Sequence, residues 1–217
     1  MYIPRTNAEQ DPAVLHAFIQ AHPFAALITA TNGLYATHLP LVLRTEHGAH
    51  GSLEGHIARA NPHFARVPEP AEALVIFAGP HAHVTPTWYP SKLDDARVVP
   101  TWNYVAVHAF GEIRFRDDAD FLLAHLARLS DPHEAARGSL WKTDDPPVEY
   151  VAQQLRAIVG LEITISRLEG KWKMSQNRSE ADRDGVAEGL RRAGGADAEV
   201  SVIVAERLAN DQRAKAE

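Results

Sequence analysis

Val99-Pro-Thr-Trp-Asn-Tyr-Val-Ala-Val-His-Ala-Phe-Gly-Glu-Ile-Arg-Phe-Arg116 has the two-residue period of a β-strand. Val105, Val107, Ala109, Ile113 and Phe115 fall on one face and Tyr104, His108, Phe110, Glu112 and Arg114 on the other. The first face reads as core. The second is charged at its far end and aromatic at its near end, so the near end requires cover from a second subunit or a ligand.

On the N-terminal side, Asp11 and Pro12 read as the N-cap and first position of a helix that places Val14, Leu15, Phe18 and Ile19 on one face as far as Pro23. Strands are expected over Phe24 to Ala30 and Leu34 to Arg44, joined by an Asn32-Gly33 turn, and over Gly51 to Ile57. A short helical turn near Asn61 to Phe64 follows. Ala73 to Ala78, apolar without alternation, reads as a strand covered on both faces.

On the C-terminal side the pattern predicts helices over Asp118 to Leu129 and Val148 to Ile158. A half-buried strand from Val159 to Ser166 then runs into Gly170-Lys171-Trp172-Lys173. Glu180 to Arg192 reads as a solvated helix broken by Gly194-Gly195, and Glu199 to Leu208 as a terminal helix with a frayed end. Hairpin-linked strands with helices inserted between them give an α+β fold with an antiparallel barrel and peripheral helices, not βαβ units. The expected division is a barrel domain over residues 1–192 and a helical tail over 193–217.

Composition narrows the function classes. There is no cysteine, which excludes disulfides and cysteine metal sites. Met1 to Gln20 has neither the basic start nor the apolar stretch of an export signal, and no run approaches the roughly 20 apolar residues of a membrane span, so a soluble, cytoplasmic protein is expected. The balance of 22 basic against 28 acidic residues gives a net charge of −6, which does not favour phosphate-backbone contacts. Neither a basic patch nor a helix-turn-helix is found, so DNA is a partner that charge and motif leave unsupported. His81-Ala-His83 and His108 lack a carboxylate at ligand spacing, and no metal is expected. Gly-x-Ser-x-Gly, Walker and Gly-x-Gly-x-x-Gly motifs are absent.

Three clusters collect cations, amides and aromatics at strand ends, where binding loops lie. In Gly55-His56-Ile57-Ala58-Arg59-Ala60-Asn61, His56 and Arg59 suit a phosphate at a helix start; the alternative is a strand-to-helix turn in which Arg59 pairs with a surface carboxylate. In Pro86-Thr-Trp88-Tyr89-Pro-Ser-Lys92 and Pro100-Thr-Trp102-Asn103-Tyr104, aromatics and prolines make a rigid wall for a planar ring, and the Asn103 amide suits a heterocycle edge; the alternative is a subunit interface. Lys171-Trp-Lys173-Met-Ser175-Gln176-Asn177-Arg178 is a run of donors without an acid, fit for a phosphate or cofactor rim, or else a solvated basic loop.

Met1-Tyr-Ile-Pro4, His38-Leu-Pro40, Gly55 to Pro62, Pro86 to Tyr89, Val99 to Tyr104 and Gly170 to Asn177 stand in the order in which they occur in the PaiB-type family of FMN-binding negative transcriptional regulators, which the chain resembles over residues 1–192. The resemblance implies a split barrel similar to flavin reductases and pyridoxamine phosphate oxidase, with FMN in the groove of a homodimer. It would put His56, Arg59 and Asn61 near the phosphate and Trp88, Tyr89, Trp102 and Asn103 near the ring or interface, with Lys92 of the same cluster a further cofactor-binding candidate. Lys173, Ser175, Gln176 and Asn177 would close the site, from the partner chain if the groove is shared. The leading expectation is a regulator whose flavin is ligand or redox sensor. The alternatives are an FMN-dependent oxidoreductase and a haem-binding or haem-degrading protein using His81 or His108 as axial ligand.

Overall fold

The computed structural model describes residues 1–216, with side chains through residue 214. In chain order it contains β1 (Ala8–Glu9), α1 (Pro12–Ala21), β2 (Phe24–Thr29), β3 (Tyr35–Pro40), β4 (Val42–Arg44), β5 (Ser52–Ala58), α2 (Pro62–Arg66) and β6 (Ala71–Val84). Then come β7 (Thr101–Arg116), α3 (Ala119–Ala136), α4 (Val148–Leu155), β8 (Ile158–Lys173), α5 (Glu180–Ala193) and α6 (Ala196–Ala216). Short 3-10 turns at Pro86–Trp88 and Pro90–Leu93 lie between β6 and β7. The sheet is antiparallel, in the order β3-β2-β6-β7-β8-β5-β4, with β1 added against β8. This is an α+β fold built on a split-barrel sheet.

Backbone contacts divide the chain into two compact units. The central unit is Asp11–Phe77 with Val107–Leu168; the terminal unit is Met1–Gln10, Ala78–Ala106 and the chain from Glu169 onward. β6, β7 and β8 each pass from one into the other.

In the central unit α1 begins as its sequence dictates: the Asp11 side chain accepts from the Ala13 amide, Pro12 opens the first turn, and Leu15, Phe18 and Ile19 are buried. Asn32 and Gly33 take φ of 58° and 121° to close the β2–β3 hairpin, which pairs Thr29 with Tyr35 and Phe24 with Pro40. The strand expected over Leu34 to Arg44 is two strands. Pro40 has no N–H to offer, the Leu41 amide turns to the Pro23 carbonyl at 2.9 Å, and the chain changes partner from β2 to β5. β6 is longer than expected and is not covered on both faces: Ala73, Val75 and Phe77 are buried while Leu74 and Ile76 are half-buried. β7 keeps the expected alternation, with Val105, Val107, Ala109 and Ile113 in the core and Tyr104, His108 and Phe110 half-exposed, but Phe115, expected in the core, is half-exposed near the strand's end. α3 starts at its Asp118 cap and runs past Leu129 to Ala136.

In the terminal unit, β8 carries Gly170 and Lys171 against Glu9 and Ala8 of β1. α5 is capped by Ser179 and is not the solvated helix its alternating charges suggest. Asp182 and Arg183 are buried: the Asp182 carboxylate accepts from the Ser91 amide (3.0 Å) and hydroxyl (2.8 Å), and Arg183 donates to Asp211 of α6 at 2.5 Å. Gly194 and Gly195, at φ of 73° and 57°, turn the chain into α6, whose Val200, Val204 and Leu208 repeat every fourth residue and are buried. The helix starts earlier and runs further than expected, and Asp211, beyond the expected end, takes the Arg183 ion pair.

Candidate functional site

The first sequence cluster lies in the central unit. β5 ends at Ala58 and the chain turns into α2 with Asn61 as its cap, the Asn61 Oδ1 accepting from the His63 amide at 2.9 Å while its Nδ2 donates to Thr37 Oγ1 at 3.3 Å. Arg59 donates from Nε to the Arg156 carbonyl (3.0 Å), from Nη2 to the Ile158 carbonyl (2.9 Å), and through both terminal nitrogens to Asp117. Asp117 raises the Arg59 pKa and is itself held below the usual carboxylate range. His56 meets His125 of α3, Nδ1 to Nε2 at 3.0 Å. His125 is wholly buried; burial, then His56 and Arg128, push its pKa down to about 3. Beside them buried Glu54 is bridged by Arg44 (2.9 Å) and Arg128 (2.7 Å).

The other two clusters lie in the terminal unit. Asn103, on the core face of β7, is wholly buried. Its Oδ1 accepts from Ser175 Oγ at 3.1 Å, and its Nδ2 has no protein partner. Turning the amide over would still leave one end unmatched. Ser175 sits at φ 61°, and its carbonyl accepts from the Arg178 amide at 2.9 Å. Lys173 points Nζ at Thr101 Oγ1 and the Trp102 carbonyl, both at 2.5 Å. Lys171 lies two residues back on the same strand face, buried, donating to the Tyr2 carbonyl at 3.0 Å with its ammonium 5.0 Å from the Tyr104 ring. Neither lysine has a carboxylate ion-pair partner among the described residues. Burial, and then Lys171, lower the pKa of Lys173.

Trp102 is exposed, with His81 and His83 of β6 ranged against it at ring distances of 6.1 and 5.8 Å. Gln176 folds back on its own loop, accepting from the Met174 amide and donating to the Trp172 carbonyl. Asn177 and Lys92 are exposed. Trp88 packs its indole against α5, where a Cβ added at Gly189 would come within 2.3 Å of the ring. Tyr89 is buried, its hydroxyl unpartnered, with the Arg178 guanidinium 4.6 Å from its ring centroid; burial raises its pKa against the opposing effect of Arg178.

Trp102, Asn103, Lys173 and Ser175 are therefore brought together, with Trp88, Tyr89 and Lys92 in the same unit, and His56, Arg59 and Asn61 form a separate cluster. Sequence reasoning did not name Lys171, Asp182, Asp117 or His125 as partners. Two had legible signals: Lys171 and Lys173 alternate on one strand face, and His125 holds a core position of α3 between Leu122 and Leu129.

The model of the family described as "Putative FMN-binding domain" matches residues 1–167. The chain belongs to this FMN-binding family. It is 34% identical to the protease synthase and sporulation protein PAI 2 of Bacillus subtilis, over 88% of this chain and 89% of that one. An uncharacterised protein of Emericella nidulans is 36% identical over 89% of this chain and 92% of its own. Among solved structures, the flavocytochrome Anf3 of Azotobacter vinelandii superposes with a TM-score of 0.57 at 17% identity, covering 79% of this chain and 72% of that one. The FAD and haem binding protein of Mycobacterium smegmatis gives 0.55 at 18%, covering 87% and 80%. At these identities the likeness is one of fold. Membership of the family makes FMN the cofactor. The donor set of the terminal unit fits it: an unmatched buried amide suits a heterocycle edge, and ammonium groups without carboxylates suit an anion.

Proposed function

We propose that this member of the FMN-binding family is a homodimeric regulator that holds FMN at the terminal-unit cluster, the flavin acting as ligand or redox sensor. The observation that carries the reading is the Asn103 amide with Ser175 on one end and nothing on the other, beside the half-buried Lys173 and the exposed Trp102. Bound FMN would supply one- and two-electron redox chemistry. The chain's own part is binding and orientation. Asn103 would meet the ring edge, Trp102 would lie against its plane, and Lys173 with Gln176 and Asn177 would form the polar rim. Trp88, Tyr89 and Lys92 would shape the wall, and His56, Arg59 and Asn61 would contribute only if the phosphate reached the central unit.

A homodimer is supported by the sheet face of the central unit, where half-buried Ile28, Leu74 and Phe110 line a depression of about 370 Å³. DNA stays a partner that charge leaves unsupported: the net charge is −6, and Arg191 and Arg192 of α5 pair with Glu188 of their own helix. A haem role is a second reading, favoured by His81 and His83 standing exposed beside Trp102.

The test is an absorbance spectrum of the purified protein, in the presence of added FMN and before and after NADH under argon, with released cofactor identified by mass. The reading expects a flavin spectrum that NADH leaves unbleached and unconsumed, and that dithionite bleaches under argon and air restores. Sustained turnover would transfer the reading to an oxidoreductase, a Soret band on haem addition would favour the second reading, and no flavin binding at all would overturn the proposal.

A further inference from the structure

α4 is a strongly one-sided helix that packs nothing away. Val148, Val151, Ala152 and Leu155 share a face, yet every residue of the helix is exposed or half-exposed. A helix of this length is marginal in water on its own and ordinarily gains its stability from burying that face. The face is turned instead to a groove of about 700 Å³, whose other wall is the Ala119, Leu123, Ala127 and Asp131 ridge of α3. The volume is in the range of small-molecule pockets, roughly 300–1,000 Å³. From Ala119 to Asp131 the wall is about 18 Å long at 1.5 Å per residue.

The groove is polar at one end only. Ala119 and Leu155 line it where α3 begins and α4 ends; Asp131, Lys142, Thr143 and Asp144 line it where α3 runs out toward the loop before α4. At that end Asp131 accepts from the Thr143 amide at 3.2 Å and stands 3.9 Å from the Lys142 ammonium, and Asp144 adds a second, exposed carboxylate. Two carboxylates against one ammonium leave the end negative. An anionic head would meet both carboxylates there; a cationic head would be welcomed by them.

We propose that the α3–α4 groove binds a small amphiphilic cation, an aliphatic or aryl body with one protonated amine, its tail along Leu123 and Ala127 and its head at Asp131. This site is independent of the flavin reading, since none of its lining residues belongs to the flavin cluster.

The experiment is calorimetric titration of the FMN-supplemented protein with octylammonium, octanoate and octanol, each below its aggregation range. Octylammonium should bind saturably at one site, at least tenfold tighter than octanoate. Ala127→Phe, which fills the groove, and the milder Leu123→Gln should each weaken it at least fivefold while FMN binding and circular dichroism stay unchanged. Asp131→Asn should cut the preference for the amine over octanol. No saturable binding, equal binding of octanoate, or binding indifferent to both groove variants would overturn the proposal. So would a change in sedimentation on Ala127→Phe with no probe binding, since a second copy would then be the occupant.

Discussion

Two clusters look alike in the sequence and differ in what their polar groups do. In the central unit, the Arg59 guanidinium is bound to Asp117 and two backbone carbonyls, and both ends of the Asn61 amide are bonded. In the terminal unit, one end of the Asn103 amide and the Tyr89 hydroxyl are buried without partners, and Lys173 is destabilised as a cation by burial and by Lys171. Leaving a buried polar group unmatched costs about 1–3 kcal/mol. A fold tolerates that cost most readily where a ligand will offset it, which is why the flavin is proposed at the terminal cluster; in the central unit the Nδ1 of His125, behind His56, is the buried polar atom left without a partner.

The largest effect bearing on this contrast is acid sensitivity in the central unit. His125 is neutral in the fold, with a pKa near 3, and ordinary when unfolded; His56 and His63 are shifted in the same direction by burial. Between about pH 6.5 and 3 the unfolded chain binds the extra proton, so this stability is complete above pH 6.5 and is lost as pH falls. The slope approaches about 1.4 kcal/mol per unit only below pH 6.5, so denaturant titrations should lose about 2 kcal/mol from pH 6.5 to 4.5, and His125→Leu should flatten the profile. A flat wild-type profile would mean that the imidazole pair accepts a proton without penalty.

Next in size is Gly189→Ala. The added Cβ would fall 2.3 to 2.5 Å from the Trp88 indole, so overpacking of about 2 kcal/mol is expected by thermal or chemical unfolding, with loosened FMN binding if Trp88 helps shape the wall. Unchanged stability would show that Trp88 can leave its slot at no cost. Asn103→Leu and Lys173→Met should each weaken FMN binding at least tenfold, about 1.4 kcal/mol, in a fluorescence titration. Wild-type affinity in both would move the flavin away from the terminal unit.

The smallest effect expected is that of Arg59→Met: a change in stability at the edge of detection, as for an exposed ion pair, and less than a twofold change in FMN affinity. A tenfold loss of affinity would erase the contrast, because the first cluster would then hold the phosphate after all.

Much of this was legible from residue order. The Asp11-Pro12 cap, the Asn32-Gly33 turn, the two faces of β7 and the Gly194-Gly195 break are local devices, set by side-chain capping, by tolerance of positive φ and by the period of a strand. The family, too, was carried by short motifs in order, as the match over residues 1–167 and the 34% identity to PAI 2 bear out.

Tertiary structure decided what each polar residue met. Alternating charges in 178–192 read as a solvated helix, yet Asp182 and Arg183 are buried because Ser91 and Asp211 stand opposite them, one far up the chain and the other on the next helix. Leu34 to Arg44 read as one strand, yet it changes partner at Leu41, since β2 ends there and β5 offers the next edge. Arg59 and Lys173 are equally basic on paper; one finds Asp117 and the other finds Lys171 beside it, with the Thr101 hydroxyl and the Trp102 carbonyl as its acceptors. Periodicity and capping act over a few residues and so are written in the sequence. Whether a charge or an amide is matched depends on residues dozens of positions away, and only the folded chain brings those within reach.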